Sequence, residues 1–342
     1  MKHTFNEDAF HPFITWHGRI SASDHGIMFH HTASGFDLVV KGEDLALTFW
    51  SSYEEEVKKA YLQIDVLDGE QRIMTSVVAL DKGQSTIRMT FERHGPYLVR
   101  VRKRSEELMS KTALRSIGTK GLFLDSPLQD KRPLVECIGD STTCGYGNLG
   151  AVDQPFTTET EDGLDTYITG ACRLAGASCV ITCYSGIGIY KSIYATKTMP
   201  SVYPMTDFEA TTPSLQTISP DIIVLNLGTN DNTYFDHLVE TSRNYETERF
   251  KETYTGFIRS MMDRHPDAMI LVISQDKRQP HVQDAIKDVV KTIADSRVTH
   301  LALSSIASNE GIGSQYHPSV TTHRKWASEL AQTLKTITRT HA

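Results

Sequence analysis

The chain has 342 residues, 39% of them apolar and 23% charged, with a formal net charge of −7. That length exceeds one average domain, so two are expected, and the composition is that of a folded globular protein. The acidic balance argues against nucleic acid or an anionic membrane as main partner, and no run approaches the roughly 18 apolar residues of a membrane helix.

The first residues, MKHTFNEDAFHPF, lack the apolar core of a signal peptide. The five cysteines, Cys137, Cys144, Cys172, Cys179 and Cys183, fall in one stretch. An odd, clustered set suits free thiols in a reducing compartment better than a disulfide framework, so a soluble, cytoplasmic protein is expected. Cys179 and Cys183 lie in an apolar run with no CxxC and no histidine beside them, and read as small buried hydrophobes rather than metal ligands.

From Phe13 to about Asp125 the pattern is short and alternating. Candidate strands are FITWHGRI, GIMFHHTA, FDLVVKG, LALTFWSS, AYLQIDVLDG, MTSVVALD, STIRMTFER and YLVRVRKRS, with Gly- and Asp-rich turns between them. Such runs predict an all-β sandwich of jelly-roll type over residues 1–125. Exposed strand edges in such a domain leave a homo-oligomer open. The polar, proline-flanked stretch 126–133 reads as a linker.

From Leu134 to the end, apolar strands (LVECI, CVITC, IIVLNL, MILVIS, THLALS) alternate with helices near Asp165–Leu174, Thr247–Arg264, Val282–Ala294 and Ser319–Thr336. All-apolar strands alternating with helices predict an α/β domain with a parallel sheet covered on both faces. Right-handed crossovers place the loops after the strands on one edge. Three of those loops carry chemistry. Gly139-Asp140-Ser141 follows the first strand, Gly228-Thr229-Asn230-Asp231 a later one, and His317 sits between the last strand and the last helix.

Each group also has a plain structural reading. Gly-Asp-Ser-Thr is ordinary turn chemistry, and position 143 is Thr, so this is not a GxSxG elbow. Asn230 and Asp231 would suit a helix cap or an Asx turn. Most of the 14 histidines are expected to be structural or at the surface; His323, on the last helix, is expected to face solvent. A serine needs a base before it can attack, and an asparagine amide with backbone N–H groups can hold a developing oxyanion. Gly186, in Tyr184-Ser185-Gly186 after the strand CVITC, stands in the right kind of loop to add such an N–H.

In order and spacing, the blocks Gly139-Asp140-Ser141, Ser185-Gly186, Gly228-Thr229-Asn230-Asp231 and His317-Pro318 resemble the SGNH/GDSL hydrolase superfamily. GDSTTCGYGN, LNLGTNDN and YHPSVTTHRKWASEL are similar to carbohydrate esterase family 2, whose members carry a jelly roll ahead of the SGNH domain. The resemblance implies a flavodoxin-like, three-layer α/β domain over 134–342 and metal-independent removal of O-acetyl groups from carbohydrates without a cofactor, in this family often from the 6-hydroxyl of a hexose. It implies Ser141 as nucleophile and His317 as general base. The Ser141 and Gly186 N–H groups and the Asn230 side chain would form the oxyanion hole. Tyr316, Asp231 and Gln315 are candidates for substrate binding. The aspartate usually found two or three residues before the histidine is absent, those positions being Gln315 and Ser314. A Ser-His dyad with the imidazole held by a backbone carbonyl is therefore expected, with Asp207 or Asp236 as alternative carboxylates. The rival readings are a GDSL lipase or thioesterase acting on longer acyl esters, and a carbohydrate-binding protein with a vestigial site.

Overall fold

Period-two alternation builds the first third of the chain. In Asp44–Ser52 the residues Leu45, Leu47, Phe49 and Ser51 are buried and those between them are partly exposed, as happens when every second side chain faces a core. The structure, a computed structural model, describes residues 2–5, 11–125, 130–194, 196–213, 218–275, 280–306 and 311–340.

The strands here are β1 (Lys2–Thr4), β2 (Ile14–His17), β3 (Ile20–Ser23), β4 (Gly26–Phe29), β5 (Gly35–Lys41), β6 (Asp44–Ser52), β7 (Ala60–Asp68), β8 (Gln71–Leu80), β9 (Gly83–Thr90), β10 (Tyr97–Lys103), β11 (Lys111–Gly118) and β12 (Leu122–Leu124). They form two antiparallel six-stranded sheets. One runs β3-β4-β11-β6-β9 with β1 on β11, the other β12-β5-β10-β7-β8 with β2 on β5. Phe29, Phe36, Leu38, Phe49 and Leu62 lie in the apolar core of this jelly-roll sandwich. The run FITWHGRI is two strands, not one. Gly18, at φ +77°, breaks it, and its two halves join different sheets.

The second part contains β13 (Leu134–Gly139), α1 (Ser141–Cys144), α2 (Tyr167–Ala175), β14 (Ser178–Cys183), α3 (Met199–Val202), β15 (Ile222–Asn226), α4 (Thr229–Asp236), α5 (Glu240–Arg264), β16 (Met269–Gln275), α6 (Gln283–Ile293), β17 (Val298–Leu303) and α7 (Val320–Thr340). The five strands are all parallel, in the order β14-β13-β15-β16-β17. Alternate residues of each strand face opposite layers. Ile223 and Leu225 join a core with Phe250, Tyr254 and Ile286 of α5 and α6, while Ile222 and Val224 join one with Tyr167 and Trp326 of α2 and α7. This is the three-layer α/β arrangement expected. Of the expected linker, residues 126–129 lie outside the described residues. The five cysteines are unbridged, and among the described residues no helix is long and apolar enough to cross a membrane.

A buried cation joins the two parts. Arg19 lies between β2 and β3 and is 2% exposed. Its Nη1 donates to the Tyr203 and Met205 carbonyls at 2.7 and 2.9 Å, and its Nη2 lies 3.5 Å from Glu136 of β13. Burial pushes the Glu136 carboxyl up, while Arg19 and the Tyr203 hydroxyl draw it down. Removing one partner of such a pair strands the other charge. Arg19→Ala is expected to destabilise the protein by about 3–5 kcal/mol, read as a fall in the urea midpoint. Arg93→Ala, which breaks an exposed pair with Asp68, is expected to change stability by about 0.5 kcal/mol or less.

Candidate active site

Three loops leave the parallel sheet at one level, because Gly139 pairs with Cys183 of β14 on one side and Asn226 of β15 on the other. The strand order reverses here, which is where open α/β sheets form a crevice. Gly139 is required by close approach, since a Cβ on it would lie 2.0 Å from Thr143 Oγ1. Asp140 caps α1 by accepting the Thr142 N–H at 3.0 Å. Ser141 is thus the first residue of a helical turn, a position whose N–H has no partner within the helix, and that N–H donates to no described residue.

His317 reaches the serine from beyond the sheet's edge. Its Nε2 lies 2.8 Å from Ser141 Oγ and its Nδ1 3.1 Å from the Gln315 carbonyl. A carbonyl can only accept, so Nδ1 carries the proton and Nε2 of the neutral ring presents its lone pair to the serine hydroxyl. The loop is tied down at both ends. Gly313 N–H donates to the His317 carbonyl at 2.7 Å, Ser314 N–H to Gly147 at 2.9 Å and Val320 N–H to Asn148 at 3.0 Å. Gln315 and Tyr316 adopt φ +48° and +62°, strain that residues other than glycine accept at a cost of roughly 1–3 kcal/mol each.

It is the Gln315 main chain, and not its side chain, that holds the imidazole. Its Oε1 instead accepts the Tyr146 hydroxyl at 2.9 Å. The Tyr146 ring stacks on Phe156 at 3.6 Å and lies 4.6 Å from the imidazole. Tyr146 was missed in the sequence although it stands within GDSTTCGYGN. The alternative carboxylates are engaged elsewhere. Asp207 caps Glu209 and Ala210 at 2.9 Å, and Asp236 pairs with His281 at 2.8 Å.

Gly186 adopts φ +79°, and a Cβ there would lie 2.3 Å from the Ile193 side chain. Its N–H, too, donates to no described residue. Asn230 is the second residue of α4. Its Nδ2 donates one hydrogen to the Ile187 carbonyl at 2.7 Å, leaving the second for the crevice. Asp231 is not a substrate contact. It is 0% exposed, and its carboxylate accepts the N–H groups of Ile189, Tyr190 and Lys191 at 2.7–3.0 Å, while burial lifts its pKa to about 6. Successive helix residues point about 100° apart, so Asn230 and Asp231 do not share a face. Tyr316 is 69% exposed, beside His317. His323 does not face solvent; it is buried, and its Nδ1 accepts the Tyr167 N–H at 3.1 Å.

Where the two parts meet, donor atoms of His30, Glu107 and Asp207 come within 4.8 Å of one another. His30 Nδ1 lies 3.1 Å from Glu107 there, and the buried Lys103 ammonium donates to the His30 carbonyl at 3.1 Å. Gly186→Ala, strained by φ and by Ile193, is expected to cost about 1–2 kcal/mol of stability. By moving the Gly186 N–H it should also lower kcat on p-nitrophenyl acetate at least roughly tenfold if that group holds the oxyanion, as steady-state kinetics on the folded variant would show.

Residues 137–325 match the model of the GDSL-like Lipase/Acylhydrolase family. The chain is 26% identical to the acetylxylan esterase / glucomannan deacetylase of Cellvibrio japonicus over 98% of its own length and 92% of that protein's. It is 26% identical to the cellulase/esterase CelE of Acetivibrio thermocellus over 96% of its length, but spans only 40% of CelE. In fold it is similar to a family two carbohydrate esterase from Clostridium thermocellum in complex with cellohexaose, with a TM-score of 0.82, 23% identity, and coverage of 94% of this chain and 98% of that one. With more than half of its residues matched from the first parallel strand into the last helix, the chain belongs to the GDSL-like lipase/acylhydrolase family.

Proposed function

We propose that this protein is a serine esterase that removes O-acetyl groups from carbohydrates. The observation that carries the reading is the 2.8 Å contact between His317 Nε2 and Ser141 Oγ, with Nδ1 held by the Gln315 carbonyl. Ser141 attacks the acetyl carbonyl as its proton passes to His317. The tetrahedral oxyanion is held by the Ser141 and Gly186 N–H groups and the Asn230 amide, each donor contributing about 3 kcal/mol. The imidazolium then protonates the departing sugar oxygen, and water activated by His317 releases acetate from the acetyl-serine.

Support for the substrate class comes from the relatives. One is named for acetylated xylan and glucomannan, and a fold neighbour is seen with cellohexaose. The exposed Tyr316 ring beside His317 offers a face on which a sugar can stack. The unbridged thiols suit a reducing compartment, where a cytoplasmic enzyme meets acetylated oligosaccharides and simple sugars rather than a polymer. The lipase name of the matched family favours a second reading, hydrolysis of longer acyl esters.

Acetate release from acetylated xylo-oligosaccharides and fully acetylated monosaccharides, beside Ser141→Ala, tests both. Ser141→Ala is expected to lower turnover by about 10⁴-fold or more without loss of fold. Turnover persisting in that variant would overturn the mechanism. A p-nitrophenyl series in which butyrate and longer esters outrun acetate would favour the lipase reading.

A further inference from the structure

One side chain of the sandwich reaches into this site. Glu106 follows β10 and is 0% exposed. Its Oε2 accepts the Ser185 N–H at 2.8 Å and the Cys144 thiol at 3.5 Å. Ser185 precedes Gly186, and Cys144 ends the helical turn that begins with Ser141. A single carboxylate oxygen therefore touches both segments that carry backbone oxyanion donors. On the far side of Ser185, the Tyr194 hydroxyl donates to the Ser185 carbonyl at 2.7 Å. That carbonyl and the Gly186 N–H belong to one planar peptide unit, so fixing the first fixes the direction of the second.

Glu106 is itself anchored, its N–H donating to Glu161 Oε2 at 3.3 Å. Burial pushes both carboxyls up, Glu161 more strongly because the Glu106 charge adds to its desolvation. With one oxygen accepting from two donors, Glu106 has the bonding pattern of an acceptor carboxylate. Mere packing would be served better by an apolar side chain, since a buried carboxylate is costly unless its hydrogen bonds are used. Bonds to an ionised acceptor are about twice as strong as neutral ones.

We propose that Glu106, contributed by the sandwich, is a positioning residue for the oxyanion hole, clamping with Tyr194 the peptide that presents the Gly186 N–H. It rests on the reading of Ser141 as nucleophile and Gly186 as oxyanion donor. The hydroxyl-deleted Tyr194→Phe and the near-isosteric Glu106→Gln and Glu106→Leu test it in the full chain. Two quantities are compared on p-nitrophenyl acetate: kcat, and inhibition by phenylboronic acid, whose tetrahedral serine adduct places an oxygen where the oxyanion forms.

Tyr194→Phe and Glu106→Gln are expected to lower kcat by about 3–30-fold with KM unchanged, and to weaken boronate binding by the same factor. Glu106→Leu should lose more of both. A purely structural role would reduce the amount of active protein while leaving boronate affinity at its wild-type value. That outcome, or wild-type kcat in the folded variants, would overturn the proposal. If Glu106→Leu does not fold, the other two variants decide. The parent reading is checked separately, because activity in Ser141→Ala would overturn that reading as well, whereas an inactive Ser141→Ala beside a wild-type Glu106→Leu would sink only the clamp.

Discussion

The site depends first on parallel pairing in one direction. Because β13 sits between β14 and β15 with Gly139 level with Cys183 and Asn226, the segments carrying Ser141, Gly186 and Asn230 all start from one plane. No long-range ordering beyond the sheet itself is needed to bring those three together. His317 is different. It follows β17, which is separated from β15 by β16, so sheet geometry alone does not deliver it to the serine. Its loop is bonded to Gly147 and Asn148, residues just past the helical turn of Ser141. Ser141 and His317 are thus registered by short contacts between their own loops, and two left-handed residues absorb the strain of the approach.

Hydrophobic pattern made much of this visible in advance. The five parallel strands are largely apolar runs, and the order of the Gly-Asp-Ser, Gly-Thr-Asn-Asp and His-Pro blocks set them at strand ends. What escaped had no pattern to carry it. β11 breaks alternation at an irregularity between Leu114 and Ser116. α5 starts seven residues before the expected Thr247, yet nothing in it is buried ahead of Phe250, so the early turns show no apolar stripe. α4 is made of poor helix formers. His323 was misplaced because its partner, the Tyr167 N–H, is 156 residues away in sequence. Asp231 was drawn into the site by adjacency to Asn230, which on a helix means a different face.

The want of an aspartate beside His317 matters less than the usual triad suggests. In Ser-His-Asp hydrolases the carboxylate fixes the tautomer and orientation of the ring and stabilises the imidazolium, and much of the loss on replacing it by an amide is a tautomer error. A backbone carbonyl cannot make that error, because it has no proton to donate. The carbonyl itself brings only a partial negative charge opposite the imidazolium. Oxyanion stabilisation acts on the other end of the reaction and does not draw on that charge. A site of this kind therefore leans more heavily on the placement of its N–H donors than a triad does.

That shift of weight gives the sandwich a reason to be where it is. A domain that only bound substrate could be joined by a polar, adjustable surface. Here the junction instead buries Arg19 against Glu136 and sets Arg104 2.9 Å from Asp162, with Glu106 against Ser185. Buried ionic contacts add little net stability over apolar packing of the same volume, but each tolerates only one geometry. They restrict how the two parts can sit together. Glu106, whose carboxylate reaches both Ser185 and the helical turn of Ser141, brings such a directional contact from outside the α/β domain.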